Sequence, residues 1–167
     1  MFIEFVFPIM LLLATLFCTL ATGFILIFAI VVMPGISTLQ NREFLRAFQV
    51  IDQVIQKNQP LFVLIWVGSA VCLFVATTLG VGLVVGVPRI LLIVAVIAYI
   101  SGVQLPTITI NIPLNNRLQM LNLDTLEESS LVTERQHFEA RWNRWNGIRT
   151  AFASLTSILL LVLMGLM

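Results

Sequence analysis

The sequence predicts an all-α integral membrane protein built as a bundle of four transmembrane helices, and three observations carry that prediction. Of the 167 residues, 59% are hydrophobic and only 10% charged, against roughly 45–50% apolar and about 25% charged in soluble domains. Mean hydropathy is +1.04. The charges are also bunched: none occurs between Glu4 and Arg42, between Lys57 and Arg89, between Arg89 and Arg117, or after Arg149. Each gap holds the ~18 apolar-rich residues that a spanning helix needs. Finally, both long connections between the gaps keep a helical periodicity, so they read as helices too.

The first span runs from about residue 5 to 32. It is read as a span and not as a cleaved leader, because it has no positive n-region and its apolar run exceeds the usual ~7–15 residues. In the connection NREFLRAFQVIDQVIQKNQ, Phe44, Phe48, Ile51 and Ile55 form an apolar stripe, while Gln49, Asp52, Gln53 and Gln56 form the other face. This amphipathic helix lies on the membrane surface or folds back over the bundle. The second span covers about 61–85, with Pro60 suited to its first turn. The short joint GVGLVVGVPR makes it an antiparallel neighbour of the third span, about 90–110. A helical loop leads to the fourth span, about 148–166, and the whole chain reads as one membrane domain, 1–167.

Orientation follows from the basic residues. Eight of the nine sit in or beside the two long connections, and only Arg89 lies on the opposite side. The positive-inside rule therefore places both connections in the cytoplasm and both termini on the non-cytoplasmic side. A net charge of +1 without a basic block gives no reason to expect a nucleic-acid partner. Cys18 and Cys72 lie inside different spans, where a thiol behaves as a small hydrophobe. The single His137, with Glu134 and Glu139 nearby, repeats no metal-binding spacing, and one histidine excludes a haem with two histidine ligands. No phosphate loop, nucleophile elbow or CxxC motif occurs.

Two polar faces stand out. Gln104, Thr107, Asn111 and Asn115 fall near one side of the third helix, and Pro106 removes a backbone hydrogen bond, which opens the helix around Val103 to Thr107. An unpaired amide in hydrocarbon costs several kcal/mol, so these side chains turn inward and need partners. At the entry to the fourth span, Trp142, Trp145, Asn146 and Arg149 share a face at i, i+3, i+4 and i+7. An interfacial tryptophan belt with a snorkelling arginine explains that face; so does the wall of a polar pocket closed from lipid.

At these residues the chain resembles a known family. GFILIFAIVVMPGIS, FQVIDQVIQKNQPLF, TITINIPLNNRL and the W-x-x-W-N-x-x-R-T entry to span four are similar, in order and spacing, to the membrane family that contains the fungal anthrone oxygenases. The resemblance implies a four-helix bundle and, in characterised members, oxygenation of a tricyclic aromatic ketone methylene to a quinone with no recognised cofactor. Its motif positions carry over as Met33, Pro34, Asn111, Pro113, Asn115, Asn116, Trp142, Trp145, Asn146 and Arg149.

Chemistry without a cofactor needs donors aimed at a developing oxyanion and one base in a dry cavity. Asn111, Asn115 and Arg149 are the candidate donors. Trp142 and Trp145 are flat surfaces for an aromatic substrate, with Asn146, Asn116 and Gln104 as further binding residues. Asp52 is the candidate base if its helix folds back, and otherwise an exposed carboxylate; His137 is the reserve. Arg149 is expected to bond Asn111, Asn115 and the carbonyls freed at the end of span three, and Asn111 to be hydrogen-bonded within the bundle. Besides a membrane oxygenase of a flat lipophilic aromatic molecule, two classes stay open: a non-catalytic subunit or assembly factor of a larger membrane complex, and a binding protein for a lipophilic small molecule.

Overall fold

The computed structural model describes residues 2–167, and among these residues it consists of helices and short connections, with no strand. Seven α-helical segments follow in order: α1 (Phe2–Ile27), α2 (Met33–Ser37), α3 (Asn41–Gln56), α4 (Pro60–Leu83), α5 (Val87–Tyr99), α6 (Ile112–Gln119) and α7 (Glu128–Gly165). A π-helical turn at Phe28–Val32 splices α1 to α2, and two more, Ile100–Gln104 and Thr107–Asn111, lie between α5 and α6. The result is four helices long and apolar enough to cross a membrane: Ile3–Ser37, Pro60–Leu83, Val87–Gln119 and Glu128–Gly165. The third runs on past residue 110 and the fourth starts well before residue 148. At 1.5 Å per residue they are about 50 and 57 Å long, so both project beyond a hydrocarbon core of ~30 Å.

Proline explains the π turns. Each begins six residues before one: Phe28 before Pro34, Ile100 before Pro106, Thr107 before Pro113. A proline inside an α-helix has no N–H to give, and its ring presses on the carbonyl four residues back. Widening the preceding turn by one residue moves that carbonyl aside. The residue before each proline then donates to the carbonyl five back: Met33 to Phe28, Leu105 to Ile100, Ile112 to Thr107. The opening expected around Pro106 therefore takes the form of one wide turn, Ile100–Gln104, in a continuous helix, and Pro113 adds a second, Thr107–Asn111; such turns re-aim the side chains they carry.

The four long helices pack as a ring, α1 against α4 and α7, and α5 against α7 and α4. Ala14, Ala76, Ala95 and Ala153 are fully buried along the seams with Leu92 and Leu160. Small residues let helix backbones approach where lipid removes the hydrophobic drive between them. Gly102 is the sharpest case, because a Cβ there would fall on the Phe152 ring. Leu12, Leu16, Val71, Phe74, Ile97 and Ile158 are left exposed on the outer face, as a lipid-facing surface requires. The joint between α4 and α5 turns at Gly86, whose φ of 65° suits glycine, and Arg89 Nε caps the Val84 carbonyl at 2.8 Å.

A second apolar core sits at one end of the bundle. Phe44, Leu45 and Phe48 of α3 bury against Leu114 and Leu118 of α6, Leu123, and Leu131, Phe138 and Trp142 of α7. The amphipathic helix thus folds back over the bundle and forms a headpiece with the projecting ends of the third and fourth helices. Arginine holds it there. Arg135 donates to the Leu39 and Ser37 carbonyls at 2.8 and 2.7 Å with its guanidinium 4.4 Å over the Phe44 ring, Arg42 donates to the Leu123 and Leu126 carbonyls, and Arg46 pairs with Asp124.

Candidate functional site

Between headpiece and bundle lies a cavity of about 180 Å³, far above the ~10–15 Å³ that a cavity needs to hold one water. Aromatic residues dominate its walls: Phe24 and Phe28 of the first helix, Phe48 of α3, Phe62 and Trp66 of α4, and Trp142 of α7. Phe62 and Trp66 stack with centroids 5.8 Å apart, and Phe28 and Trp142 lie 5.6 Å apart. Polar groups enter from three elements: Asp52 from α3, Thr107, Asn111 and Asn115 from the third helix, and Asn146 and Arg149 from α7.

Asp52 is 2% exposed. Asn115 Nδ2 donates to its Oδ1 at 2.8 Å, while Gln119 Nε2 and Gln56 Nε2 donate to its Oδ2 at 3.0 and 3.2 Å. Asn115 is in turn oriented by Trp142, whose Nε1–H donates to Asn115 Oδ1 at 2.9 Å. An indole nitrogen can only donate, so the asparagine must present its oxygen to Trp142 and its nitrogen to Asp52. One tryptophan therefore fixes the geometry of the carboxylate through one amide.

Arg149 lies on the other wall at 7% exposure. Its Nη2 donates to Asn146 Oδ1 at 2.6 Å and its Nη1 to Thr107 Oγ1 at 3.1 Å; the guanidinium carbon sits 5.7 Å from the Trp142 ring centroid. Asn146 Nδ2 donates to the Ile25 carbonyl at 3.2 Å, which ties this pair to the first helix. Among the described residues no carboxylate forms an ion pair with Arg149, and its Nε has no partner. Asn111, 2% exposed and also lining the cavity, leaves both amide atoms without a partner.

Several expectations need correction against this geometry. Asn111 is buried but not hydrogen-bonded within the bundle, and Arg149 bonds Thr107 and Asn146, not Asn111 or Asn115. The reason is the length of the third helix: it does not end near residue 110, so no free terminal carbonyls lie there, and the π turn Thr107–Asn111 keeps the backbone paired. Asp52 is buried, not an exposed carboxylate. Trp145 and Gln104 are half-buried and do not line the cavity, and Asn116 is exposed, taking a bond from Gln56 at 2.9 Å. His137 is exposed beside Arg117 and Glu134, outside the cavity. Cys18 and Cys72 are free.

The sequence reading passed over Gln119 and four of the aromatic walls. Phe24 with Phe28, and Phe62 with Trp66, are i, i+4 pairs that share a helical face, a signal present in the sequence but indistinguishable there from ordinary core.

The sequence model of the family described as anthrone oxygenase matches residues 5–159. The chain belongs to the anthrone oxygenase family. Comparison with curated proteins and with solved structures finds no match. The match takes in every cavity-lining residue of this anthrone oxygenase family member, from Phe24 to Arg149.

Proposed function

We propose that the chain is a membrane-embedded oxygenase of a flat lipophilic aromatic ketone. The observation that carries this reading is the state of Arg149: a buried guanidinium without a carboxylate partner, with an unused Nε–H, beside an unpartnered Asn111 amide in an aromatic cavity. Burying a cation without an anion is costly. A site so built gains most from a ligand that becomes anionic inside it.

In this reading the ketone lies between the aromatic walls with its oxygen toward Arg149 and Asn111. Asp52 takes a proton from the activated methylene, and the charge moves to the oxygen, where the two donors stabilise it. The resulting enolate gives its electrons to dioxygen. One oxygen atom becomes the new carbonyl, and the other leaves as water with the two methylene hydrogens: R₂CH₂ + O₂ gives R₂C=O + H₂O. Asn115 and Trp142 hold Asp52 in place for the transfer. The headpiece faces the cytoplasm in this reading, with both termini on the other side, because the basic residues concentrate in the two connections that build it.

The test is oxygen uptake by the purified protein in lipid nanodiscs with a tricyclic ketone bearing a benzylic methylene, followed by mass spectrometry under ¹⁸O₂. One heavy oxygen atom per product molecule is expected, at a rate well above that of empty nanodiscs, with Asp52→Asn and Arg149→Met both near background. A protein that binds the ketone tightly yet consumes no oxygen would be a binding protein, and the oxygenase reading would fall.

A further inference from the structure

The cavity is closed differently on its two sides. Toward the headpiece, α3 is laced to the third helix by hydrogen bonds: Gln49 Nε2 to the Leu118 carbonyl at 2.8 Å, Gln119 Nε2 to the Gln49 carbonyl at 2.9 Å, Asn115 to Asp52 at 2.8 Å, and Gln56 Nε2 to Asn116 Oδ1 at 2.9 Å. On the other edge, between the start of α4 and the third helix, the one side-chain hydrogen bond among the described residues lies deeper in the bundle, Ser69 to Tyr99 at 2.6 Å, and none lies nearer the headpiece. There the lining residues are Ile55, Phe62, Trp66 and Ile112, and among the described residues no hydrogen bond joins Phe62 or Trp66 to the third helix. Ile112 is 43% exposed although it lines the cavity, and Ile55, Phe62 and Trp66 are half-buried, whereas Asp52, Asn111 and Arg149 are buried behind them. Side chains that face both the cavity and the outside mark a mouth. It is apolar, and it opens on the flank of a membrane helix.

The topology explains why the gap falls here. A three-residue turn joins α4 and α5, so these antiparallel helices are held together at that end. The cavity lies at their opposite ends, where the π turn Thr107–Asn111 and Pro113 steer the third helix.

We propose that ligands reach the cavity sideways out of the bilayer, through a mouth between Phe62 on α4 and Ile112 on the third helix. The mouth sets the class of molecule that Arg149 meets. A guanidinium open to water would collect any carboxylate or phosphate; behind an apolar mouth it meets only molecules that dissolve in lipid as neutral species and ionise after entry. This deepens the oxygenase reading by defining how its substrate arrives, but the route stands on the cavity alone and needs no turnover.

Thiol labelling in nanodiscs tests the route. In a Cys18→Ala, Cys72→Ala background, Asn111→Cys places one reporter thiol on the inner wall, and Thr107→Cys serves as a second reporter should the first fold poorly. Two probes are compared: N-phenylmaleimide, which partitions into lipid, and the sulfonated reagent (2-sulfonatoethyl) methanethiosulfonate, which stays in water. The expected result is modification by the maleimide and none by the sulfonate. Ile112→Trp should slow the maleimide by about tenfold or more, which corresponds to about 1.4 kcal/mol of barrier. Gln49→Ala, on the laced side, should leave that rate unchanged. Labelling by the sulfonate at a comparable rate, an unchanged maleimide rate in Ile112→Trp, or a thiol that neither probe reaches until the protein is denatured would each overturn the lateral route. Because no oxygen chemistry is read, a chain that fails the oxygen-uptake test can still pass this one.

Discussion

Replacing Asn115 with Leu should destabilise the headpiece by about 2–3 kcal/mol, and the estimate can be built bond by bond. Leucine is close to asparagine in size, so packing is roughly kept. What goes is the bridge from Trp142 to Asp52, two bonds of 2.9 and 2.8 Å. Both outer partners are buried, Trp142 at 3% and Asp52 at 2% exposure, so neither can turn to water. A buried donor left unsatisfied costs about 1–3 kcal/mol, and a hydrogen bond to a charged group is worth about 1.5–3 kcal/mol. Asp52 keeps Gln119 and Gln56, and hydrogen bonds measured in membrane proteins average only ~0.6 kcal/mol, so the sum belongs near the lower end. Trp142→Phe removes the indole N–H together with part of a buried ring, so it costs ~1 kcal/mol for the bond plus a cavity term that is the same with or without Asn115→Leu. Asn115 itself is left half-exposed with water in reach. Once Trp142 is Phe, Asn115→Leu should cost about 1 kcal/mol less than it does alone, because one of its two bonds is already gone. The assay is reversible unfolding in mixed micelles followed by circular dichroism, for each single variant and the double. A variant Asn115→Leu within about 0.5 kcal/mol of the parent, or costs that simply add in the double, the usual result for independent sites, would refute the bridge.

Arg149→Lys keeps the charge but not the fork that reaches Thr107 and Asn146 together; it should cost about 1–2 kcal/mol and abolish oxygenation, and full activity in the lysine variant would exclude a role for guanidinium geometry. Gly102→Val should overpack the seam against Phe152 and cost about 1–3 kcal/mol, read as a lowered melting temperature, whereas Gly82→Val, with open space around it, should not. Single cysteines near either terminus, in a background without Cys18 and Cys72, should react with an impermeant maleimide from the non-cytoplasmic side only; labelling from the cytoplasmic side would reverse the orientation.

The bundle was legible because hydrocarbon enforces a simple grammar: long charge-free runs separated by charged connections, with backbone satisfied inside each helix. The headpiece was half legible. The stripe of Phe44 and Phe48 announced an amphipathic helix, but whether it met lipid or the bundle depends on carbonyl acceptors such as those of Ser37, Leu39, Leu123 and Leu126, which leave no mark in a sequence. Asp52 shows the same limit: on a helical wheel it belongs to the polar face, and only the amides of Asn115, Gln119 and Gln56, up to 67 residues away, make its burial tolerable. Pro106 was visible as a helix breaker, Pro34 and Pro113 only as motif positions. Their actual effect, a widened turn six residues upstream, re-aimed Thr107 and Asn111 into the cavity and carried the third helix past its expected end. Trp142 and Trp145 looked equivalent by motif, yet a difference of one turn position puts the first on the cavity wall and leaves the second off it.

The central claim is that the Arg149 wall holds an anionic form of the ligand, and an anaerobic absorption titration addresses it without any turnover. A tricyclic hydroxyketone whose neutral and ionised forms differ in colour is added to the protein in oxygen-free nanodiscs at a pH where the free ligand is neutral. The expected result is the spectrum of the ionised ligand, growing to one equivalent per chain, absent with Arg149→Met and reduced with Asn111→Leu. A bound ligand that keeps its neutral spectrum in the unaltered protein, or an ionised spectrum that survives in Arg149→Met, would contradict the claim.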